Sequence, residues 1–255
     1  MRLIRFQAKN EPAQFGWVNN DRIGKLVGSP FGEFQRLEAT LALDSVVLLA
    51  PVLPGKIICV GRNYSEHIKE QNAEVPTTPL LFLKPPSSVI GPSQTILLPP
   101  QSQQVDHEAE LVVVIGKRGR WIQPNEASSH IYGYTIGNDV TARDLQRRDG
   151  QWTRSKGFDT FCPLGPWIDT EFDPTDAIIT CHVNDVLRQM ASTRDMIFNI
   201  TQIIAFSSSI MTLEVGDVIM TGTPAGISPL NPGDVVEAAI DGLGKLRNSV
   251  AAEQH

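Results

Sequence analysis

Cysteine is scarce in this sequence, and long apolar runs are absent from it. Its 255 residues include three cysteines, Cys59, Cys162 and Cys181, an odd number with no close spacing. That pattern excludes a disulfide framework and the paired spacing of a zinc site. No apolar stretch approaches the length of a membrane span, and the first residues lack the hydrophobic core of a signal peptide. We therefore expect a cytoplasmic protein in a reducing compartment, without a membrane partner.

The sequence also lacks an excess of positive charge. It contains 22 Lys and Arg against 28 Asp and Glu, which gives a formal net charge of −6, and no run of basic residues stands out. This balance disfavours a nucleic-acid-binding surface. Hydrophobic residues make up 41% and charged residues 20% of the chain, as in ordinary globular proteins. The length suits one large domain, or one domain with a small appendage.

The first 50 residues predict a small β-rich N-terminal domain. Two apolar stretches, residues 15–18 and 22–27, flank the turn-forming residues Asn19, Asn20 and Asp21, and this arrangement predicts a hairpin. Two prolines, Pro51 and Pro54, then suit a linker. The main domain is expected over residues 55–250.

The most informative stretch is acidic and lies at residues 105–116. Its second half is a continuous run of β-branched and apolar residues, typical of a buried strand. Side chains alternate along a strand, so Glu108 and Glu110 share one face, with Asp106 in phase behind them. Two adjacent carboxylates entering an apolar interior repel each other and lose hydration, which a divalent cation would offset. The alternative is the wet face of an edge strand.

A third carboxylate, Asp139, ends the strand-like run at residues 134–140. Arg143 and Gln146 follow it closely, and Lys156 adds a further positive charge. These side chains suit an oxygen-rich anionic ligand, because arginine can bind a carboxylate through two hydrogen bonds. The alternative is a set of solvated surface charges. Lys84, which follows an apolar strand, is left facing either a ligand or solvent.

A candidate general base lies on a short predicted helix. Asn63 is a plausible N-cap, with Glu66 three residues later. The helix places His67 and Glu70 on one face, where the carboxylate would orient the imidazole and make it more basic. The alternative is a solvated pair on a surface helix.

A glycine-rich loop, residues 222–226, follows another predicted strand and contains Thr223. Such a loop lets backbone amides and the Thr223 hydroxyl approach a ligand carboxylate. The loop lacks the lysine of a phosphate-binding loop, which argues against a nucleotide ligand.

Together these motifs resemble the fumarylacetoacetate hydrolase superfamily. The resemblance rests on Gly61-Arg62-Asn63-Tyr64 with His67, Glu108-Ala109-Glu110, residues 138–144, residues 156–159 and residues 222–226, in the family's order and rough spacing over about residues 55–250. The sequence is most similar to the short members that act on acylpyruvates, oxaloacetate or related 2-keto acids.

The resemblance implies a fold, a metal and a set of site residues. The fold would be mainly β with a few short helices (α+β), a mixed β-sandwich roll that usually forms a homodimer. Mg²⁺ or Mn²⁺ would bind Glu108, Glu110 and Asp139. A His67–Glu70 dyad on a lid segment would be catalytic together with Lys156. The substrate-contacting positions would be Arg143, Gln146 and Thr223.

These features predict a metal-dependent hydrolase that cleaves a C–C bond in an acylpyruvate-type (2,4-diketo acid) substrate through an enolate stabilised by the cation. The same site would also support an oxaloacetate-type decarboxylase or a 2-hydroxyhepta-2,4-diene-1,7-dioate-type isomerase. A third alternative is a catalytically silent protein that binds keto acids.

Overall fold

The computed structural model describes residues 1–254 and is mainly β, as predicted. In the N-terminal segment the strands are β1 (Arg2–Gln7), β2 (Gln14–Asn19), β3 (Arg22–Gly28), β4 (Phe34–Ala42) and β5 (Val47–Leu49). The remaining strands are β6 (Ile57–Gly61), β7 (Leu80–Lys84), β8 (Val89–Ile90), β9 (Thr95–Leu98), β10 (Val105–Asp106), β11 (Ala109–Ile115), β12 (Ile131–Asn138), β13 (Thr141–Ala142), β14 (Cys162–Asp169), β15 (Ile178–Val183), β16 (Val186–Ser192), β17 (Val218–Met220), β18 (Val235–Ile240) and β19 (Gly244–Ala252).

The helices in the described residues are short. They are α1 (Ser65–Glu70), α2 (Arg143–Asp149), α3 (Thr153–Lys156) and α4 (Ile200–Ile210), with 3-10 turns at Leu43–Ser45, Pro86–Ser88, Ala127–His130 and Thr193–Asp195. None of the helices within residues 1–254 combines the length and the apolarity needed to cross a bilayer.

The N-terminal segment forms the predicted hairpin and joins the main sheet. β2 and β3 pair antiparallel, with Asn19 opposite Arg22, and Asn20 adopts a left-handed conformation at the turn. Asparagine tolerates this conformation better than most residues with a Cβ atom. β1 pairs with β14, with Arg2 opposite Asp169. The segment is therefore continuous with the larger sheet.

The large sheet is organised around β11. Its main path runs β4-β3-β2-β1-β14-β12-β11-β17-β6-β7, and every residue of β11 is buried. Leu111 and Val113 belong to the core shared with the second sheet, whereas Val112 and Val114 belong to a core on the opposite face. Burial on both faces explains why this strand reads as a continuous apolar run rather than an alternating one.

A second sheet, ordered β16-β15-β18-β19-β9, packs against the first. Ile179, Ala238 and Leu246 from this sheet share one apolar core with β11 and β12. Both sheets are mixed, because β6 pairs parallel with β17 and β9 pairs parallel with β19. This is the mixed β-sandwich architecture that the family resemblance implies.

One local prediction is wrong. Helix α1 begins at Ser65 with Tyr64 at the N-cap, and Asn63 does not cap it. Asn63 is fully buried, and its amide donates to the carbonyl oxygens of Phe198 (3.0 Å) and Thr221 (2.7 Å) and accepts from the backbone N–H of Phe198 (2.8 Å). Three contacts with residues distant in sequence thus replace the local cap.

The topology brings several strand ends to one edge of the large sheet. The parallel strands β6 and β17 both end there. β11 begins beside the end of β12, with Ala109 opposite Asn138, and also beside the end of β17. The side chains just beyond these strand ends therefore converge.

Candidate active site

Three carboxylates meet at this sheet edge. Glu110 lies at the start of β11, Glu108 lies two residues before it, and Asp139 follows β12. One oxygen from each group lies within 4.8 Å of the others, and all three residues are at least 95% buried. The backbone N–H of Asp139 donates to the carbonyl oxygen of Glu108 at 2.8 Å. The structure thus brings together the three acids that the sequence singled out, in a buried cluster rather than on a wet edge.

Lysines neutralise two of these acids. The Lys156 ammonium lies 2.8 Å from a Glu108 oxygen and 2.6 Å from an Asp139 oxygen. Lys84 contacts the other Asp139 oxygen at 2.6 Å and donates to the carbonyl oxygen of Val140 at 3.2 Å. Both lysines are 2% exposed. The sequence alone leaves open whether Lys84 faces a ligand or solvent. A single lysine at the end of an apolar strand is nevertheless a signal for a buried ion pair.

Arg143 completes the charge balance from the start of α2. Its guanidinium pairs with Glu108 and lies 2.9 Å from an Asp106 oxygen, and all three groups are buried. This pairing follows from the topology, because β13 ends at Ala142 and pairs with β10, which carries Asp106. The predicted contact between Arg143 and substrate stays a prediction; in the structure Arg143 lines the cavity and pairs with Asp106 and Glu108.

The electrostatics differ sharply between the two glutamates. Burial opposes ionisation of Glu108, but Lys156 and Arg143 outweigh it and hold its pKa well below the ordinary value. Glu110 makes no ion pair within residues 1–254, and its Oε2 accepts a hydrogen bond from the backbone N–H of Gly222 at 2.8 Å. Burial, Asp139 and Glu108 raise the pKa of Glu110 well above its usual range. Glu110 is the group that a further cation would relieve most.

This donor set fits a divalent cation. Three carboxylates supply hard oxygen ligands, which Mg²⁺ and Mn²⁺ prefer to thiolate or imidazole ligands. His107 lies outside the cluster, because its ring nitrogens contact the side chains of Gln189 (3.0 Å) and Ser228 (2.9 Å).

The predicted dyad is formed on α1. Nδ1 of His67 lies 3.1 Å from Oε2 of Glu70, and Oε1 of Glu70 accepts from the backbone N–H of Gly226 at 3.0 Å. Partial burial opposes ionisation of Glu70, but these hydrogen bonds and the charges of His67 and Arg143 lower its pKa overall. Gly226 has a left-handed φ of +100°, and a Cβ there would lie 1.9 Å from the carbonyl oxygen of Arg188. The dyad therefore depends on a glycine at this position.

The remaining predicted contacts have structural partners. Oε1 of Gln146 accepts from Arg143 at 2.6 Å. The Thr223 hydroxyl donates to the carbonyl oxygen of Ala109 (2.9 Å) and accepts from Gln189 (2.8 Å). The amides of the glycine-rich loop bind Glu110 and Glu70, so in this structure the loop positions site residues.

The three carboxylates and His67 line one cavity of about 480 Å³. Its lining residues are Val60, Gly61, Arg62, His67, Gln71, Phe82, Glu108, Glu110, Asp139, Arg143, Gln146, Arg147, Gly150, Trp152, Lys156 and Thr223. Glu70 supports the cavity from behind His67. A volume of this size suits a small organic acid.

Comparison with known proteins identifies the family. Residues 56–251 match the model of the fumarylacetoacetate (FAA) hydrolase C-terminal domain, and residues 1–51 match the Rv2993c-like N-terminal model. The chain belongs to the fumarylacetoacetate hydrolase family.

Relatives in this family carry several enzyme names. A mitochondrial oxaloacetate tautomerase from Bos taurus is 45% identical, over 82% of this chain and 71% of that protein. The structure of a 2-hydroxyhepta-2,4-diene-1,7-dioate isomerase from Mycobacterium marinum is 40% identical over the full length of both chains, with a TM-score of 0.92. A maleylpyruvate hydrolase from Sphingobium sp. SYK-6, solved with manganese(II) and pyruvate, is 31% identical over both full chains, with a TM-score of 0.83.

The buried ion pair of Lys84 should matter more than a surface pair. Replacing Lys84 with methionine leaves one Asp139 oxygen without its cation, so we expect Lys84→Met to lower the free energy of unfolding by about 3 kcal/mol. Lys69→Met removes an exposed pair with Glu66 (2.6 Å) and should cost less than about 1 kcal/mol. Urea denaturation of the metal-free proteins measures both, and equal losses would contradict the buried pairing.

Glu110→Gln should separate metal binding from folding. The substitution removes a carboxylate whose ionisation the fold opposes, so the melting temperature of the metal-free protein should not fall. The rise in melting temperature that Mg²⁺ gives the wild-type protein should be largely lost, because a ligand that binds the native state stabilises it by mass action. Glu126→Gln, at an exposed position outside the cavity, is the matched control. A full Mg²⁺ response in Glu110→Gln would remove Glu110 from the metal site.

Proposed function

We propose that this protein is a divalent-metal-dependent enzyme that converts a 2-oxo acid into its enolate, with keto–enol tautomerisation of an oxaloacetate-type substrate as the leading reaction. The observation that carries the proposal is that His67, paired with Glu70, lines the same cavity as three buried carboxylates. Such a cavity combines a charge-stabilising centre with a proton acceptor, the two elements that enolisation requires.

Glu108, Glu110 and Asp139 would hold Mg²⁺ or Mn²⁺. When bound, the cation supplies Lewis acidity that stabilises negative charge developing on the keto oxygen. Arg143 and Lys156 keep Glu108 ionised, and Lys156 also holds Asp139 in place, through contacts that already exist in the structure. Side chains of the protein thus hold two of the three proposed metal ligands in position.

His67 is the proton-transfer residue of this proposal. Glu70 contacts Nδ1, which favours the tautomer with a proton on that nitrogen and leaves Nε2 able to accept one. Nε2 then takes a proton from C3 of the substrate, and a proton returned to the oxygen at C2 completes the enol. The reverse sequence gives the keto form, so no water or co-reactant is consumed.

Tautomerisation is favoured over the other reactions by similarity. The tautomerase from Bos taurus matches this chain at higher identity than the isomerase or the hydrolase does. The reaction also needs nothing beyond the proton acceptor and the charge-stabilising centre.

Hydrolysis of an acylpyruvate-type C–C bond, the leading function predicted from the sequence, is the second candidate. The same dyad can take a proton from water that attacks a C4 ketone, and the bond between C3 and C4 then breaks to release the enolate of pyruvate. The similarity to a maleylpyruvate hydrolase bound to manganese(II) and pyruvate supports this candidate.

One assay compares these candidates. Stripped protein is given Mg²⁺ or Mn²⁺ and then either the enol form of oxaloacetate or acetylpyruvate, and the enol absorbance is followed with product analysis. Rapid metal-dependent equilibration of oxaloacetate without carbon dioxide supports the tautomerase, and release of carbon dioxide indicates a decarboxylase. Acetate and pyruvate from acetylpyruvate indicate the hydrolase. No change in either substrate would contradict both candidates and favour a dienoate isomerase or a silent binding protein.

His67→Ala should abolish catalysis without removing the metal. A positioned acid–base group contributes about 10²–10⁴-fold to rate, so we expect kcat to fall at least about 100-fold. Calorimetry should show unchanged Mg²⁺ binding, because His67 is not part of the carboxylate cluster. His182→Ala, on β15 and outside the cavity, should retain full activity. Loss of Mg²⁺ binding in His67→Ala would show that this residue has a different role.

A further inference from the structure

The cavity contains two kinds of basic side chain. Lys84, Lys156 and Arg143 are committed to buried acids in and beside its wall. Arg62 and Arg147 also line the cavity, yet neither side chain makes an ion pair or a hydrogen bond with any other group in residues 1–254. Arg62 is half-buried and Arg147 is exposed, so both side chains are free to bind an anion that enters the cavity.

Arg62 is held in an unusual backbone conformation. It lies between β6 and α1 with a φ of +58°, in the left-handed region that residues with a Cβ atom rarely adopt. Such a conformation costs free energy and persists only when its surroundings impose it, often at functional positions. The buried amide of Asn63 fixes the next residue through three hydrogen bonds. The fold therefore retains a strained arginine at the cavity, where glycine would fit more easily.

Arg147 reaches the same cavity from α2. It stands four residues after Arg143, and this spacing places both side chains on one face of the helix. The next residue, Arg148, does not line the cavity and instead lies 3.5 Å from an Asp149 oxygen. Adjacent arginines on one helix therefore differ in their access to the site.

Aromatic side chains form another part of the cavity wall. Phe82 and Trp152 line the cavity and pack edge to face, with ring centroids 5.1 Å apart. Trp152 also covers Gly61, where a Cβ would lie 2.6 Å from its ring. A ligand here would meet carboxylates that suit a cation, aromatic rings that suit a carbon chain, and unpaired arginines that suit an anion.

We propose that Arg62, assisted by Arg147, binds a second carboxylate of the substrate at the end remote from the 2-oxo group. This inference rests on the proposed function, in which the 2-oxo acid end faces Glu108, Glu110 and Asp139. The substrate class is then a dicarboxylic 2-oxo acid. Guanidinium groups bind carboxylates through paired charge-assisted hydrogen bonds, so Arg62 is a specificity-determining residue that touches the substrate.

Calorimetry with two acids of equal chain length tests this proposal without requiring turnover. The probes are 2-oxoglutarate and 2-oxopentanoate, which differ in a terminal carboxylate against a terminal methyl group, titrated into the full chain with saturating Mg²⁺. We expect the wild-type protein to bind 2-oxoglutarate at least about tenfold more tightly, and Arg62→Gln to remove most of that preference by weakening the diacid alone. Arg147→Gln should remove part of it, and Arg148→Gln, the matched control, none.

A second variant at the same position separates lost charge from lost folding. Arg62→Gly relieves the left-handed backbone and should melt no lower than the wild-type protein, while losing the diacid preference as Arg62→Gln does. A wild-type preference near one, a preference that survives in the Arg62→Gln/Arg147→Gln double variant, or no measurable binding of either acid would each overturn the proposal. Oxaloacetate turnover on the same preparations tests the proposed function separately, since turnover without a diacid preference contradicts only this inference.

Discussion

Burial of several carboxylates at one sheet edge is the constraint on which this structure depends. Glu108, Glu110 and Asp139 lie within a few ångströms of one another in the interior, where like charges repel and hydration is lost. The fold offsets most of that cost with Lys84, Lys156 and Arg143. Those partners come from the end of β7 and from the neighbouring helices α2 and α3, so the same ion pairs also fix these segments against the sheet. Glu110 remains without a cation of its own, and this incomplete neutralisation makes the site receptive to a metal.

The proposed active site combines side chains held by buried strands with a histidine whose position depends on a few contacts. The carboxylates stand on or beside β11 and β12, strands buried on both faces of the sheet. His67 stands on a six-residue helix, too short to be stable by itself. Its position therefore depends on the Asn63 anchor before it and on the contact between Glu70 and the amide of Gly226. Rigidly held carboxylates and a histidine held by few contacts suit the proposed proton transfer, in which the proton moves only after the substrate binds.

Sequence periodicity predicted which side chains share a face, whereas the family resemblance was needed to favour a metal site and a dyad over solvated surface groups. Strand alternation placed Glu108 and Glu110 on one face, and the i, i+3 spacing of a helix placed His67 beside Glu70. Features set by tertiary contacts were beyond such reasoning. Asn63 matched a capping pattern but is held by Phe198 and Thr221, more than 130 residues away in sequence. Lys84 pairs with Asp139 across 55 residues; its place at the end of an apolar strand indicates a buried ion pair, but nothing in either local stretch identifies the partner.

The central claim is that this cavity forms the enolate of a 2-oxo acid when a divalent cation is present. Exchange of the C3 protons of pyruvate in deuterated water, followed by proton NMR, measures that step directly, because an enolate must form before deuterium can enter. We expect the Mg²⁺- or Mn²⁺-loaded protein to exchange these protons much faster than the free metal ion does, and the exchange to be lost when a chelator is added. Exchange no faster than with free metal, in protein shown by calorimetry to bind both the cation and pyruvate, would contradict it.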